Sequence, residues 1–166
     1  MGLLRHGDEP VRFQMHEKLW SIGDDYWIED SEGERAFKVD GKAMRVRDTW
    51  VLEDTDGREV ASIRERKLSI REAVKIELDG NEAVVKKAMV GFRDRFHIEL
   101  DHGEDLTAHG NIVDHEYEIE RDGDKVAEVS KRWFRVRDAY GIEVAPGQDD
   151  ALILAVAVCI DQMGRD

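Results

Sequence analysis

The chain has 166 residues, with 38 Asp plus Glu against 25 Lys plus Arg and a formal net charge of -13, which bounds it to one domain, two at most. With 38% charged residues and a mean hydropathy of -0.57, it lacks the run of about 20 apolar residues that spans a bilayer, which argues against an integral membrane protein. The acidic excess argues equally against nucleic-acid binding, which needs a basic footprint on phosphate.

Residues 1–10 (MGLLRHGDEP) read as a flexible N-terminal segment, too short and polar for a signal peptide. They also lack the Ser or Thr that myristoylation requires where His6 stands. A lone cysteine, Cys159, cannot close an intramolecular disulfide, so the expected compartment is the cytoplasm. Sixteen Arg against nine Lys, in so acidic a chain, would also suit solubility in concentrated salt.

From Val11 onward the chain repeats itself. An opening strand in Val11 to Trp20 is followed by recurrences of an apolar residue, any residue, an apolar residue, Arg and an acid. The copies are Met44-Val46-Arg47-Asp48, Leu68-Ile70-Arg71-Glu72, Val90-Phe92-Arg93-Asp94 and Phe134-Val136-Arg137-Asp138, with weaker ones at Trp20-Ile22-Gly23-Asp24 and Ile112-Val113-Asp114. Their acids fall at 24, 48, 72, 94, 114 and 138. After each acid comes a short alternating run: Tyr26-Ile28, Trp50-Leu52, Val74-Ile76, Phe96-Ile98, Tyr117-Ile119 and Tyr140-Ile142, each leading to a glutamate. Period-two alternation of aromatic and β-branched residues predicts half-buried strands. Five of them run into turn clusters beginning at Asp30, Asp54, Asp79, Asp101 and Asp122. Asp and Gly there supply the positive φ that tight hairpins require. A return segment, such as Glu59 to Ile70 or Glu82 to Phe92, closes each unit.

One opening strand, five return strands and six short strands predict about twelve antiparallel strands. Closing them into an up-and-down barrel removes the exposed edges of so large a sheet. The two prolines, Pro10 and Pro146, stand outside the proposed strands.

After Pro146-Gly147, Asp149-Asp150 precede an unbroken apolar run, Ala151 to Ile160, ending at Asp161. Asp149 or Asp150 suits a helix N-cap, and a helix is predicted over about 149–162; the Val and Ile content also permits a buried strand. Apolar on every side, the segment must be buried on every side. A twelve-stranded barrel leaves a lumen that a helix of about 10 Å diameter fills. The fold class is therefore mainly β: a closed antiparallel barrel with its hydrophobic C-terminal helix through the centre, as a single domain over 11–163.

This arrangement resembles the tubby-like fold. The stretches Met15-His16-Glu17-Lys18-Leu19, Phe37 to Ala43, Phe92 to Phe96, Asp114 to Tyr117 and Asp149 to Ile160 resemble the LURP-one-related (LOR) family. The resemblance implies the superfamily shared with tubby C-terminal domains and phospholipid scramblases, in which attachment to membranes or phosphoinositides recurs. It implies no established activity. Scramblase action is not expected, because the only cysteine lies in the proposed plug and the apolar tail is short.

The residues that could hold an anionic headgroup are basic positions of the return strands: Arg64, Arg66, Lys67, Lys86, Lys87, Lys131, Arg132 and Arg135. The competing reading is cross-strand pairing with the abundant glutamates. Arg47, Arg71, Arg93 and Arg137, each beside an acid, read as strand-end ion pairs. Four histidines, His97, His102, His109 and His115, lie among Asp101, Glu104, Asp105 and Asp114 and raise a small-molecule or metal-dependent alternative, although their spacing matches no compact ligand motif. Cys159 reads as an inert buried thiol, and no nucleophile elbow, phosphate loop or dinucleotide fingerprint occurs. The Trp residues at 20, 27, 50 and 133 read as core or barrel wall.

The expected function is a non-catalytic binding or scaffold module, monomeric and without cofactor or metal. Its expected partners are an anionic phospholipid or membrane surface, or a protein, but not nucleic acid. A soluble protein-interaction module with no lipid binding is the further alternative.

Overall fold

The computed structural model describes residues 9–16, 25–40, 49–66, 73–90, 93–134 and 139–164, without the side chains of residues 65, 66, 89, 90, 93 and 94. Twelve strands follow one another: β1 (Val11–His16), β2 (Tyr26–Asp30), β3 (Arg35–Asp40), β4 (Thr49–Asp54), β5 (Glu59–Arg66), β6 (Ala73–Leu78), β7 (Asn81–Val90), β8 (Arg93–Leu100), β9 (Leu106–Asn111), β10 (Glu116–Arg121), β11 (Asp124–Ser130) and β12 (Ala139–Val144). Each pairs antiparallel with its chain neighbours, and β1 pairs with β12 from Val11 opposite Val144 to His16 opposite Ala139, closing the barrel. The six predicted short strands are β2, β4, β6, β8, β10 and β12, and the return strands are the odd ones. The apolar-Arg-acid elements around Asp24, Asp48, Glu72 and Asp138 lie wholly or largely outside the described residues, as do the ends of the return segments after Arg66 and Val90.

Alternation sorts each strand into an inner and an outer face. Trp50, Leu52, Val74, Ile76, Phe96, Ile98, Tyr117, Ile119, Tyr140 and Ile142 point inward and are buried. The glutamates that follow them face out. Register shifts at Ile28/Glu29, Leu52/Glu53 and Ile119/Glu120 place a bulge at the same step of three hairpins. Such bulges bend the bulged strand and sharpen its local twist, which aids closure. The hairpin turns then use positive φ where predicted, at Gly33, Gly57, Gly80, Gly103 and Gly123, the last after Asp122 at φ 51°.

The lumen is filled by the helix Asp150–Gly164. Asp149 is its N-cap: a side-chain oxygen accepts from the Leu152 amide at 3.3 Å, and its carbonyl accepts from the Ile153 amide. Leu152 to Ile160 are all buried, which the sequence required of a segment apolar on every side. Full burial contributes about 1.5 to 3 kcal/mol for each Leu, Ile or Val. The helix enters at the rim where β12 ends, runs along the axis, and finishes at the rim where the odd strands end. No helix among the described residues is long and apolar enough to cross a membrane.

Candidate functional site

The odd strands all run toward one rim, called here the odd-end rim, so Arg64 near the end of β5, Lys86 and Lys87 near the end of β7, and Lys131 and Arg132 just after β11 share it. They do not form one cluster. In the ring order β5 and β11 are separated by six steps of twelve, which puts Arg64 and Arg132 on opposite sides of the rim. Lys67 and Arg135 lie outside the described residues, and for Arg66 only the backbone is described.

Several of these cations are engaged. Lys86 Nζ lies 3.0 Å from Glu99 on β8, and Arg132 Nη2 lies 2.6 Å from Glu128, with its guanidinium over the Trp133 ring. Lys87 points inward and donates to the Met163 carbonyl at 3.3 Å, so it serves the open C-terminal end of the helix. The Lys131 amide donates to Glu116, while Arg64 is exposed and makes no ion pair among the described residues. Cross-strand pairing therefore accounts for Lys86, as it does for Arg12 with Glu143 and Lys38 with Glu53. Exposed pairs of this kind contribute about 0 to 1 kcal/mol each and leave their cations free to exchange partners. The proposed strand-end pairs of Arg47, Arg71, Arg93 and Arg137 fall on residues or side chains outside the described set.

The four histidines do not converge. His102 stands in the turn before β9 and His115 in the turn after it, so the length of β9, about 20 Å, separates them. His97 lies 3.3 Å from Asp105, and His109 lies 3.1 Å from Glu120. His115 turns inward.

Its destination was not legible in the sequence. Asp161, 2% exposed, sits on the last turns of the helix inside the barrel. Tyr140 on β12 donates its hydroxyl to Asp161 Oδ2, and His115 Nδ1 lies 3.0 Å from Oδ1 while its ring stacks on Tyr140, centroids 4.1 Å apart and planes 7° apart. To reach that position His115 adopts φ 53°, a left-handed conformation uncommon outside glycine. Tyr117 brings a buried hydroxyl with no hydrogen-bond partner among the described residues. The Tyr26 hydroxyl accepts from the His16 amide at 2.9 Å. Burial, reinforced by the negative charge of Asp161, holds the phenols of Tyr117 and Tyr140 well above their ordinary range, and burial raises that of Tyr26. Ser130 Oγ and the Lys131 amide both bond Glu116, which secures the neighbouring start of β10. The network ties the helix end to β12 and to the β9–β10 turn. His115, Tyr117, Tyr140 and Asp161 are all buried.

Charge is sorted along the barrel axis. The hairpin turns at the opposite rim carry Asp30, Glu32 and Glu34, then Asp54 and Asp56, Asp79, then Asp101, Glu104 and Asp105, and Asp122 and Asp124, which outnumber the cations Arg35, Arg58, Arg121 and Lys125 beside them; the helix starts there with Asp149 and Asp150. Asp30 and Asp54 spend a carboxylate oxygen on the amides two and four residues on, which fixes those turns in acidic residues. The odd-end rim has acids too, among them Asp25, Asp40, Asp114 and Glu116, but it gathers the cations named above. The same rim presents Val113, 75% exposed in the β9–β10 turn.

A model of the LURP-one-related family matches residues 11–161. The chain is 26% identical over 155 residues to the uncharacterized protein YxjI of Bacillus subtilis (strain 168), covering 92% of this chain and 93% of that one. Its fold is similar to the X-ray structure of the Arabidopsis thaliana protein AT5G01750, with a TM-score of 0.65, 19% identity and coverage of 96% and 94% of the two chains.

Proposed function

The chain belongs to the LURP-one-related family, and from that premise we propose that it is a non-catalytic binding module that docks its odd-end rim against an anionic phospholipid surface. The observation that carries this reading is the separation of charge between the two rims. A net charge of -13 opposes approach to an anionic membrane only as an average over orientations. With the acidic turns pointing away, the rim cations approach first, beside the rim's own acids Asp25, Asp40, Asp114 and Glu116, while the larger group of turn carboxylates stays most of a barrel length behind, beyond a screening length of about 8 Å at physiological salt.

Three features support the same orientation. Arg64 and Arg132 are too far round the ring to share one headgroup, but a flat surface meets both. Val113 offers an apolar side chain at that rim. The lumen is packed with the helix, so ligand contact belongs to the exterior. Each Lys or Arg near an anionic bilayer contributes about 1 kcal/mol, so a few cations suffice for reversible attachment.

Co-sedimentation with neutral and anionic vesicles, at low and high salt, tests the proposal. Binding is expected with anionic vesicles at low salt, reduced at high salt and lost in Lys131→Glu/Arg132→Glu/Arg135→Glu. Absence of binding at low salt, or equal binding by the variant, would overturn it in favour of a protein-interaction module.

A further inference from the structure

The outer wall of β9, β10 and β11 carries a row of side chains that rim docking does not use. The register sets His109 opposite Glu118, Glu118 opposite Glu128, and Glu128 opposite Glu143, so three glutamates stand abreast on successive strands. Like charges directly opposite one another destabilise a sheet. Two of the three have cationic partners. Glu128 takes Lys125 at 3.1 Å and Arg132 at 2.6 Å, and Glu143 takes Arg12 at 2.7 Å. Glu118 makes no ion pair with a side chain among the described residues. Beside it stand His109 across the strand pair and Glu120 two residues on, on the same face of β10.

We propose that His109, Glu118 and Glu120 bind one divalent transition-metal cation of the zinc class. One ligand atom from each residue lies within 4.8 Å of the other two, and His109 Nε2 is already 3.1 Å from Glu120 Oε1. Bonds of about 2.0 to 2.1 Å in a tetrahedron place ligand atoms about 3.3 Å apart, so small side-chain rotations complete the site. One imidazole nitrogen with two carboxylate oxygens suits zinc and its neighbours better than magnesium or calcium, which prefer oxygen alone. A groove of about 360 Å³ lined by His109, Glu116, Glu118 and Glu128 opens beside the three, with room for water on the remaining coordination position. The cation also supplies the positive charge that the row of glutamates calls for at Glu118.

Calorimetric titration of the full chain with zinc chloride tests the site, alongside His109→Ala, Glu118→Gln and His102→Ala, with circular dichroism melting to establish that each variant is folded. The three altered side chains are outward or in a turn, so all should fold. Saturable binding of one zinc per chain is expected, at least about tenfold weaker in His109→Ala and in Glu118→Gln and unchanged in His102→Ala. Magnesium chloride should bind at least about tenfold more weakly than zinc. No saturable binding by the parent chain, or undiminished binding by folded His109→Ala, would overturn the proposal.

Discussion

Asp161 shows how a residue's role depends on what the fold puts around it. In the sequence it is the acid that ends an apolar run, inside a helix predicted over about 149–162. The helix runs on to Gly164, with Met163 buried, so the face of Asp161 is still inside the barrel. Its place three and four residues after the buried Val158 and Ala157 carried that signal. The role of His115 was not readable at all, because it depends on a left-handed backbone in one turn. The tyrosines give this buried charge a measurable signature. All three tyrosines of the chain, Tyr26, Tyr117 and Tyr140, have their phenols held above the ordinary value of 10.0 in the folded state. As the pH rises past about 10, the unfolded chain releases phenolic protons that the folded chain retains, so stability falls. Tyrosinate absorbance should stay flat up to the alkaline unfolding transition and then appear together with loss of structure by circular dichroism. Reversible phenol titration near pH 10 in a folded barrel would contradict the burial described here.

At the scale of elements the hairpins were readable, because period-two alternation and Asp-Gly turns act within a few residues of each other. The helix was readable for a complementary reason: a run apolar on all sides has only the lumen to occupy. The gathering of basic residues was not. Return strands such as β5 and β11 are equivalent in the repeat, yet equivalence in a repeat is not adjacency in space, and closure sets these two across the barrel from each other. Likewise, the pairing of His109 with Glu118 and Glu120 needed the β9–β10 register, which spacing alone did not give. The helix is held by packing along its length and by Asp161 near its end. Asp161→Ala would leave the Tyr140 hydroxyl and His115 without their carboxylate, and urea unfolding should register a loss of about 3 to 5 kcal/mol. Asp161→Asn, whose amide oxygen still accepts from Tyr140, should lose less. Equal stability of the alanine variant and the parent would remove Asp161 as the tether.

For the whole molecule, the net charge read from composition concealed its own arrangement. An average of -13 carries no arrangement, while strand pairing gathers most of the acidic hairpin turns at one rim and sets Arg64, Lys86, Lys87, Lys131 and Arg132 at the other. The pattern was present in the sequence, but its direction in space required the up-and-down order. Rim docking is tested most directly by asking which end meets the lipid. An environment-sensitive fluorophore attached at Val113→Cys, in the exposed β9–β10 turn, reports on the odd-end rim, and one at Ser31→Cys reports on the acidic rim; Cys159 is buried and stays unlabelled in the folded chain. On anionic vesicles at low salt the Val113→Cys label should shift to the blue and the Ser31→Cys label should not. A blue shift at Ser31→Cys, or at neither position, would contradict docking through the odd-end rim.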